Sequence, residues 1–174
     1  MTMTAQAKLY AEAGQTLAPA IARLARAMER DADKARDLEQ DIHCAIWRSL
    51  AGFDGRCALK TWVYRVAHNV CAEHRLKAAR GPRPVPLEDI ETLPEPADAE
   101  RSADETIALA RAHGIIRLLP TLDAQVMLLW LEGESGRDIA EVTGLSGEAV
   151  ATRVHRLQKL LAAQFAAPKE ETDR

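Results

Sequence analysis

The sequence EGESGRDIAEVTGLSGEAVATRVHRLQK, residues 132–159, predicts two short helices joined by a tight turn. Gly144 stands where the first helix must end in a left-handed backbone conformation, which glycine adopts without steric cost. Ser146 follows at a position where its hydroxyl can cap the next helix by accepting a backbone N–H bond. This layout is typical of a helix-turn-helix, a motif that many DNA-binding proteins use.

The second predicted helix has an apolar side and a polar side. Val150, Val154, Leu157 and Leu161 recur at helical spacing, so we expect them to pack inward. The other side is polar and mostly basic: Glu148, Thr152, His155, Arg156 and Lys159, with Arg153 on its flank. In a major groove, Arg can contact guanine and Lys can contact phosphate. A solvated surface helix in an ordinary bundle is the alternative interpretation.

Composition indicates an all-α fold and a reducing compartment. The chain has 174 residues, 47% hydrophobic but only 4% aromatic, and its Ala and Leu content favours helix. We find neither a convincing alternating strand pattern nor an apolar run of membrane-spanning length, and no signal-peptide layout. Three cysteines without framework spacing (Cys44, Cys57 and Cys71) favour reduced thiols. We therefore expect a cytoplasmic protein that does not insert into membranes.

The net charge of −3 conceals a basic segment beside an acidic one. Between positions 60 and 83 there are six Lys or Arg residues and one acidic residue, Glu73. Between positions 88 and 105 there are eight acidic residues and one basic residue, Arg101. DNA-binding domains tend to be basic, so the first segment is a candidate contact surface despite the acidic total.

Proline and charge divide the chain. Residues 1–80 form a predicted helical domain, and residues 103–165 form a second one that contains the helix-turn-helix. Residues 81–102 form an acidic linker whose five prolines oppose helix formation. Residues 166–174 are expected to be a polar tail. The predicted fold class is therefore all-α, with two small helical domains joined by an acidic Pro-rich linker.

The first domain shows three apolar stripes at helical spacing. They are Leu17, Ile21, Leu24 and Met28; Leu38, Ile42, Ala45 and Ile46; and Val63, Val66, Ala67, Val70 and His74. A Gly-containing loop at 51–59 precedes the third helix, whose polar side offers Lys60, Thr61, Trp62, Arg65 and Asn69. Aromatic residues can stack on unpaired bases while cations follow the backbone. Alternatively, Trp62 and Tyr64 anchor the core.

Three stretches in this order carry a family resemblance. The segment 37–50 is similar to a polymerase-binding helix, the segment 53–70 to a loop and helix that open the −10 promoter element, and the segment 119–156 to a module that reads the −35 element. Together they resemble an extracytoplasmic-function, or group IV, sigma factor of the sigma-70 family. The resemblance implies a non-enzymatic protein that binds core RNA polymerase and directs promoter-specific transcription initiation.

The resemblance also implies partners. The first domain would dock on the clamp of the β′ subunit, the second would lie near the β flap, and both would contact promoter DNA. An anti-sigma factor is a further expected partner. Because the linker tethers the two readers, each weak DNA contact suffices once polymerase sets their separation. An acidic chain with a modest basic surface should bind DNA poorly by itself.

The resemblance assigns three sets of residues. The core-binding set is Asp37, Gln40, Asp41 and Trp47. The −10 set is Arg56, Lys60, Thr61, Trp62, Arg65 and Asn69. The −35 set is Thr152, Arg153, Arg156 and Lys159, with Arg137 as a phosphate contact.

The chain departs from the family pattern at a few positions. Cys57 lies in a loop where small polar residues are usual, and the order of apolar and basic residues at 73–76 is exchanged. Gly136 replaces a frequent aromatic residue, and Ala149 and Ala151 reduce the polar surface of the reading helix. These departures bear on promoter sequence and on −35 contact strength.

Two other classes of protein would explain parts of this sequence. A stand-alone helix-turn-helix regulator would explain residues 132–159 but leaves the first domain unexplained. A zinc protein could use His68, Cys71 and His74, which follow at steps of three residues. Structural zinc usually has four ligands, so we expect Cys71 and His74 to be packed instead and predict no metal, cofactor or catalytic residue.

Overall fold

The computed structural model describes residues 4–78 and 105–165. The first group of helices comprises α1 (Ala5–Met28), α2 (Ala32–Ser49), a 3-10 turn (Leu50–Gly52) and α3 (Leu59–Lys77). The second group comprises α4 (Glu105–Leu118), α5 (Thr121–Leu131), α6 (Gly136–Thr143) and α7 (Gly147–Phe165). The predicted all-α fold is confirmed. The predicted linker at 81–102 and the tail at 166–174 lie outside the described residues.

The first group is a three-helix unit built on the predicted stripes. All four residues of the α1 stripe are buried, as are Leu38, Ile42 and Ile46 of α2. On α3, Val63 and Ala67 are buried, while Val66 and Val70 are half-buried against the same core. Asp31 caps α2 by accepting the backbone N–H groups of Asp33 and Lys34. Apolar spacing thus accounts for the buried sides of this unit, and side-chain caps at Thr4 and Asp31 mark the starts of α1 and α2.

The second group packs its helices around α5, whose side chains are buried on almost every side. Met127 and Leu129 of α5 are fully buried, together with Leu119 before it and Leu157 of α7. A helix with apolar neighbours on all sides does not need one polar and one apolar side, and the sequence of α5 is accordingly mostly apolar.

The two groups pack against each other in the structure. One continuous cluster of buried residues contains side chains from both groups. Arg75 of α3 donates to the carbonyl oxygen of Leu119 at 2.6 Å, and Arg117 of α4 donates to that of Ala27 at 3.3 Å. Gln125 of α5 donates to the carbonyl oxygen of His68 at 3.3 Å. The carbonyl groups of Leu119 and Ala27 lie at or near helix ends, where intrahelical partners run out, whereas that of His68 lies within α3.

Across residues 4–78 and 105–165, no helix combines the length and the apolar character that crossing a bilayer requires.

Candidate nucleic-acid interface

The turn between α6 and α7 has the conformation that the sequence predicts. Gly144 ends α6 with φ +75°, in the left-handed region. The Ser146 hydroxyl accepts the backbone N–H of Ala149 at 3.2 Å, at the start of α7. Ser135 caps α6 by accepting the N–H of Asp138 at 3.1 Å. The two side-chain caps fix where α6 and α7 begin, and the left-handed Gly144 fixes where α6 ends.

Helix α7 presents a polar side to solvent over an apolar back. Val150, Leu157 and Leu160 are buried, whereas the −35 set members Thr152, Arg156 and Lys159 are exposed. Arg137 is exposed on α6. A shallow surface depression lies along this side, lined by Ser146, Glu148, Ala149, Thr152, Arg153 and Arg156. This surface is solvent-accessible and carries both hydroxyl and cationic side chains.

Arg153 differs from the other members of the −35 set because it is tied to the interior. Its guanidinium donates to the carboxylate of Asp123 on α5 at 2.6 Å. The Asp123 side chain is only 10% exposed, and the Nε atom of Arg153 is buried without a hydrogen-bond partner among the described residues. Arg153 therefore joins α7 to α5 in this structure, a contact between positions 30 apart that sequence spacing does not reveal.

The loop and aromatic members of the −10 set are held by local contacts. Arg56 bonds Asp54 within the loop, through both its backbone N–H and its side chain. Trp62 is half-buried, donates its indole N–H to the Ser49 hydroxyl at 3.0 Å, and meets Phe53 edge-on at a centroid distance of 5.4 Å. Trp62 thus has a structural role. Its partial exposure still leaves ring surface at the protein boundary.

Asn69 completes the polar side of α3, whereas Tyr64 lies in the core. Tyr64 is buried, and this burial raises the pKa of its hydroxyl to about 12. Asn69 of the −10 set is exposed. The interpretation of Tyr64 as a core anchor fits this burial.

Lys60, Thr61 and Arg65 of the −10 set contact the second group of helices. Lys60 Nζ lies 2.6 Å from a carboxylate oxygen of Glu134 and 3.9 Å from one of Asp138. The Thr61 hydroxyl donates to the Glu141 carboxylate at 3.4 Å, and Arg65 donates to the Glu141 carbonyl oxygen at 2.6 Å. The hydrogen bond to Glu134 raises the pKa of Lys60. Sequence reasoning missed these contacts because their partners lie 74 to 80 positions away.

The core-binding set lies along α2. Asp37, Gln40 and Asp41 are exposed, and Trp47 is 40% exposed near the end of the helix. Tyr10 of α1 meets the Trp47 ring edge-on at a centroid distance of 5.4 Å. The structure therefore brings the four residues to one accessible helix.

Two α1 residues beside Trp47 were not found from the sequence. The Tyr10 hydroxyl pairs with Nδ1 of His43 at 3.1 Å, and Gln6 donates to the Trp47 carbonyl oxygen at 2.6 Å. Both residues lie outside the predicted apolar stripes, so the sequence contained no periodic signal for them. Tyr10 thus supports the Trp47 ring, and Gln6 bonds the Trp47 backbone.

The three candidate zinc ligands, His68, Cys71 and His74, have different surroundings in the structure. His68 and Cys71 are buried in the core, and burial lowers the pKa of His68 to about 4. His74 bonds Glu29 of α1 at 3.0 Å. In the part of the chain that the structure describes, no group of three or more His, Cys, Asp or Glu residues is arranged to hold a metal ion.

Comparison with known proteins identifies the family. The family model described as Sigma-70 region 2 matches residues 15–81. The ECF RNA polymerase sigma factor SigM of Mycobacterium tuberculosis is 30% identical over 140 residues, covering 80% of this chain and 68% of SigM. The RNA polymerase sigma-H factor of Pseudomonas aeruginosa is 32% identical over 142 residues, covering 75% of this chain and 72% of that protein. The chain belongs to the extracytoplasmic-function sigma factors of the sigma-70 family.

A solved structure has the same fold as this sigma factor. The sigma factor RpoE of Bartonella quintana, solved in complex with the anti-sigma factor NepR, matches with a TM-score of 0.67 and 19% identity. The match covers 92% of this chain and 98% of RpoE. Since it spans both groups of helices, the similarity in fold is not confined to the segment that the region 2 model matches.

Proposed function

We propose that this sigma factor binds core RNA polymerase and directs initiation at promoters by reading a −10 and a −35 element. The observation that carries the proposal is the polar side of α7, where Thr152, Arg156 and Lys159 are exposed over a buried apolar back. It occurs in the same chain as a region 2 segment that precedes it. Because Arg153 is bonded to Asp123, its role is to hold the reading helix in place.

Each predicted domain has its own binding role. Residues 1–80 carry the core-binding and −10 sets, residues 103–165 carry the −35 set, and residues 81–102 link them. Two weak readers on one polymerase act at high effective concentration for each other, so neither needs strong affinity alone. The net charge of −3 supports this arrangement, because an acidic chain gains little from non-specific attraction to DNA.

The partners follow from the same surfaces. The exposed acidic residues of α2 and Trp47 are the proposed contact with the β′ clamp, and the second domain lies near the β flap. An anti-sigma factor is a proposed regulator, supported by the similarity in fold to RpoE in its complex with NepR. The proposed location is the cytoplasm, and the contribution to transcription is binding and positioning instead of catalysis.

In vitro transcription with purified core polymerase tests the proposal. Adding the chain to core enzyme and genomic DNA fragments should produce defined new transcripts that core enzyme alone does not make. Lys159→Ala should reduce these transcripts several-fold, whereas Lys8→Ala, which removes an exposed lysine on α1, should not. A stand-alone regulator would give no transcripts until another sigma factor is supplied, and that result would reject the proposal.

A further inference from the structure

Four basic side chains meet where the end of α1 packs against α4, and we call them the basic cluster: Arg26, Arg30, His113 and Arg117. Arg26 lies in the last turn of α1, and Arg30 follows just after that helix. The guanidinium of Arg117 donates to the carbonyl oxygen of Ala27 at 3.3 Å, so it reaches the end of α1. His113 lies one turn before Arg117 on α4.

The members of the basic cluster are close enough to disfavour one another's charged forms. Burial lowers the pKa of His113, and the charges of Arg117 and Arg26 lower it further. Burial likewise lowers the pKa of Arg117, and the charge of Arg30 adds to this effect. Like charges that folding brings together are relieved when an anion binds between them.

The carboxylate nearest to Arg117 already has other partners. Glu29 accepts the backbone N–H of Asp31 at 3.0 Å through one oxygen, and its other oxygen lies 3.0 Å from Nε2 of His74. Arg26 and Arg30 are exposed, and in the described part of the chain neither is joined to a carboxylate by an ion pair. Their guanidinium groups are therefore available to a ligand.

The residue types of the basic cluster suit phosphoryl groups. A guanidinium offers a planar fork of N–H donors that matches two phosphoryl oxygens, and an imidazole offers a further N–H donor. Three guanidinium groups in one place call for several negative charges in a small volume. His113 and Arg117 are half-buried between helices, a setting that favours a compact ligand over an extended DNA strand.

We propose that the basic cluster binds a compact oligophosphate, a short chain of phosphoryl groups that is either inorganic or carried by a nucleotide. The site joins α1, part of the segment that the region 2 model matches, to α4 of the second group of helices. A bound oligophosphate therefore holds these two helices together. No member of the basic cluster belongs to the core-binding, −10 or −35 set, so this inference does not depend on the proposed function.

The first test is a calorimetric titration of the full chain with sodium tripolyphosphate at fixed ionic strength and without divalent cations. Arg30→Gln removes one exposed guanidinium and should weaken binding about five-fold relative to wild type. The control is Arg48→Gln, which removes an exposed guanidinium at the other end of α2 and gives the same net charge. Equal affinities of the two variants for tripolyphosphate would overturn the inference.

A series of anions tests the class of ligand. Affinity should rise from orthophosphate through pyrophosphate to tripolyphosphate, and ATP should bind at least as tightly as tripolyphosphate. A higher affinity for ATP would identify a nucleotide as the source of the phosphates, and an equal one would show that the inorganic chain suffices. Citrate binding as tightly as tripolyphosphate would overturn the proposal, as would a twelve-nucleotide single-stranded DNA that binds through Arg30 more tightly than tripolyphosphate does.

The chain's own carboxylates are the competing occupant. Eight acidic residues lie between positions 88 and 105, and a variant with all eight changed to Asn or Gln removes their charge. The proposal requires that the wild-type chain bind tripolyphosphate without this change. Binding that appears only in the neutralised variant would mean that these carboxylates occupy the basic cluster, and it would reject the oligophosphate site.

Hydrogen exchange followed by mass spectrometry tests whether the ligand joins the two helices. Saturating tripolyphosphate should slow amide exchange in the last turns of both α1 and α4, because a ligand stabilises the form that binds it. In Arg117→Gln, compared with and without ligand, this protection should be several-fold smaller. Protection confined to α1 in the wild-type chain would overturn the proposed bridging site.

Discussion

His68 makes the stability of the protein depend on pH. It is 3% exposed, its Nδ1 atom has no hydrogen-bond partner among the described residues, and burial lowers its pKa from 6.5 to about 4. In the folded protein the ring therefore stays largely neutral until pH approaches 4, whereas in the unfolded chain it is half-protonated at pH 6.5. Stability contributed by the neutral form is present above pH 6.5 and is lost progressively between pH 6.5 and 4.

We predict that the free energy of unfolding falls by about 2 kcal/mol between pH 7 and pH 5 because of His68 alone. His113, whose pKa burial also lowers, adds to the fall in the same direction. Urea denaturation of wild type and His68→Phe at both pH values measures it, with exposed His155→Gln as the control. The prediction is wrong if His68→Phe loses as much stability on acidification as His155→Gln does.

Asp123 and Arg153 form a largely buried ion pair, which we expect to contribute more to stability than an exposed pair does. Asp123→Asn should lower the free energy of unfolding by about 1–3 kcal/mol, because a guanidinium that is two-thirds buried loses its anionic partner. Asp33→Asn is the matched change at an exposed pair with Arg36 and should cost less than about 1 kcal/mol. Urea midpoints of the two variants compare them, and equal midpoints would contradict a structural role for Arg153.

At the scale of elements, the turn between α6 and α7 depends on one backbone conformation. Gly144 has φ +75°, and a Cβ atom at this position would meet nothing within 4 Å. Gly144→Ala should therefore cost about 1–2 kcal/mol through backbone strain alone, without a steric clash. Gly147→Ala, at the start of α7 and equally uncrowded but with φ outside the left-handed region, should be neutral or stabilising.

Thermal unfolding of these two variants and of Gly144→Asn checks the explanation. Asn tolerates the left-handed region better than Ala, so Gly144→Asn should recover part of the lost stability. A loss of equal size at Gly147 would mean that the turn conformation is not what Gly144 provides.

The sequence was most informative for features that repeat or terminate locally. Apolar spacing predicted the buried sides of α1, α2 and α7, and Gly144 and Ser146 marked the turn. What it could not predict were contacts between side chains far apart in the chain, such as Arg153 with Asp123 or Lys60 with Glu134. Periodicity describes one helix at a time, and these pairs depend on how whole helices pack.

At the scale of the whole molecule, Arg75 joins the two groups of helices. The exchanged order of residues 73–76 places Arg75 against α4 and leaves Leu76 75% exposed. Arg75 is half-buried and donates to the carbonyl oxygens of Arg117 and Leu119 at 3.3 and 2.6 Å. A position that departs from the family pattern therefore contributes directly to the interface between the groups.

Arg75→Met keeps the aliphatic length of the side chain but leaves those two carbonyl oxygens without their donor, a loss of about 1–3 kcal/mol. Because these two bonds hold the second group of helices against α3, we expect the second group to lose more local stability than the first. Slow amides of α5 and α7 should exchange with solvent faster than in wild type, while those of α1 and α2 should change less.

Hydrogen exchange followed by mass spectrometry resolves these helices. Lys77→Met, an exposed change on the same helix, is the control and should leave both groups as in wild type. Uniform acceleration across α1 to α7 in Arg75→Met would mean that the helices unfold as one unit and that Arg75 stabilises it globally. Selective acceleration in the second group would show that the interface can open without unfolding the first.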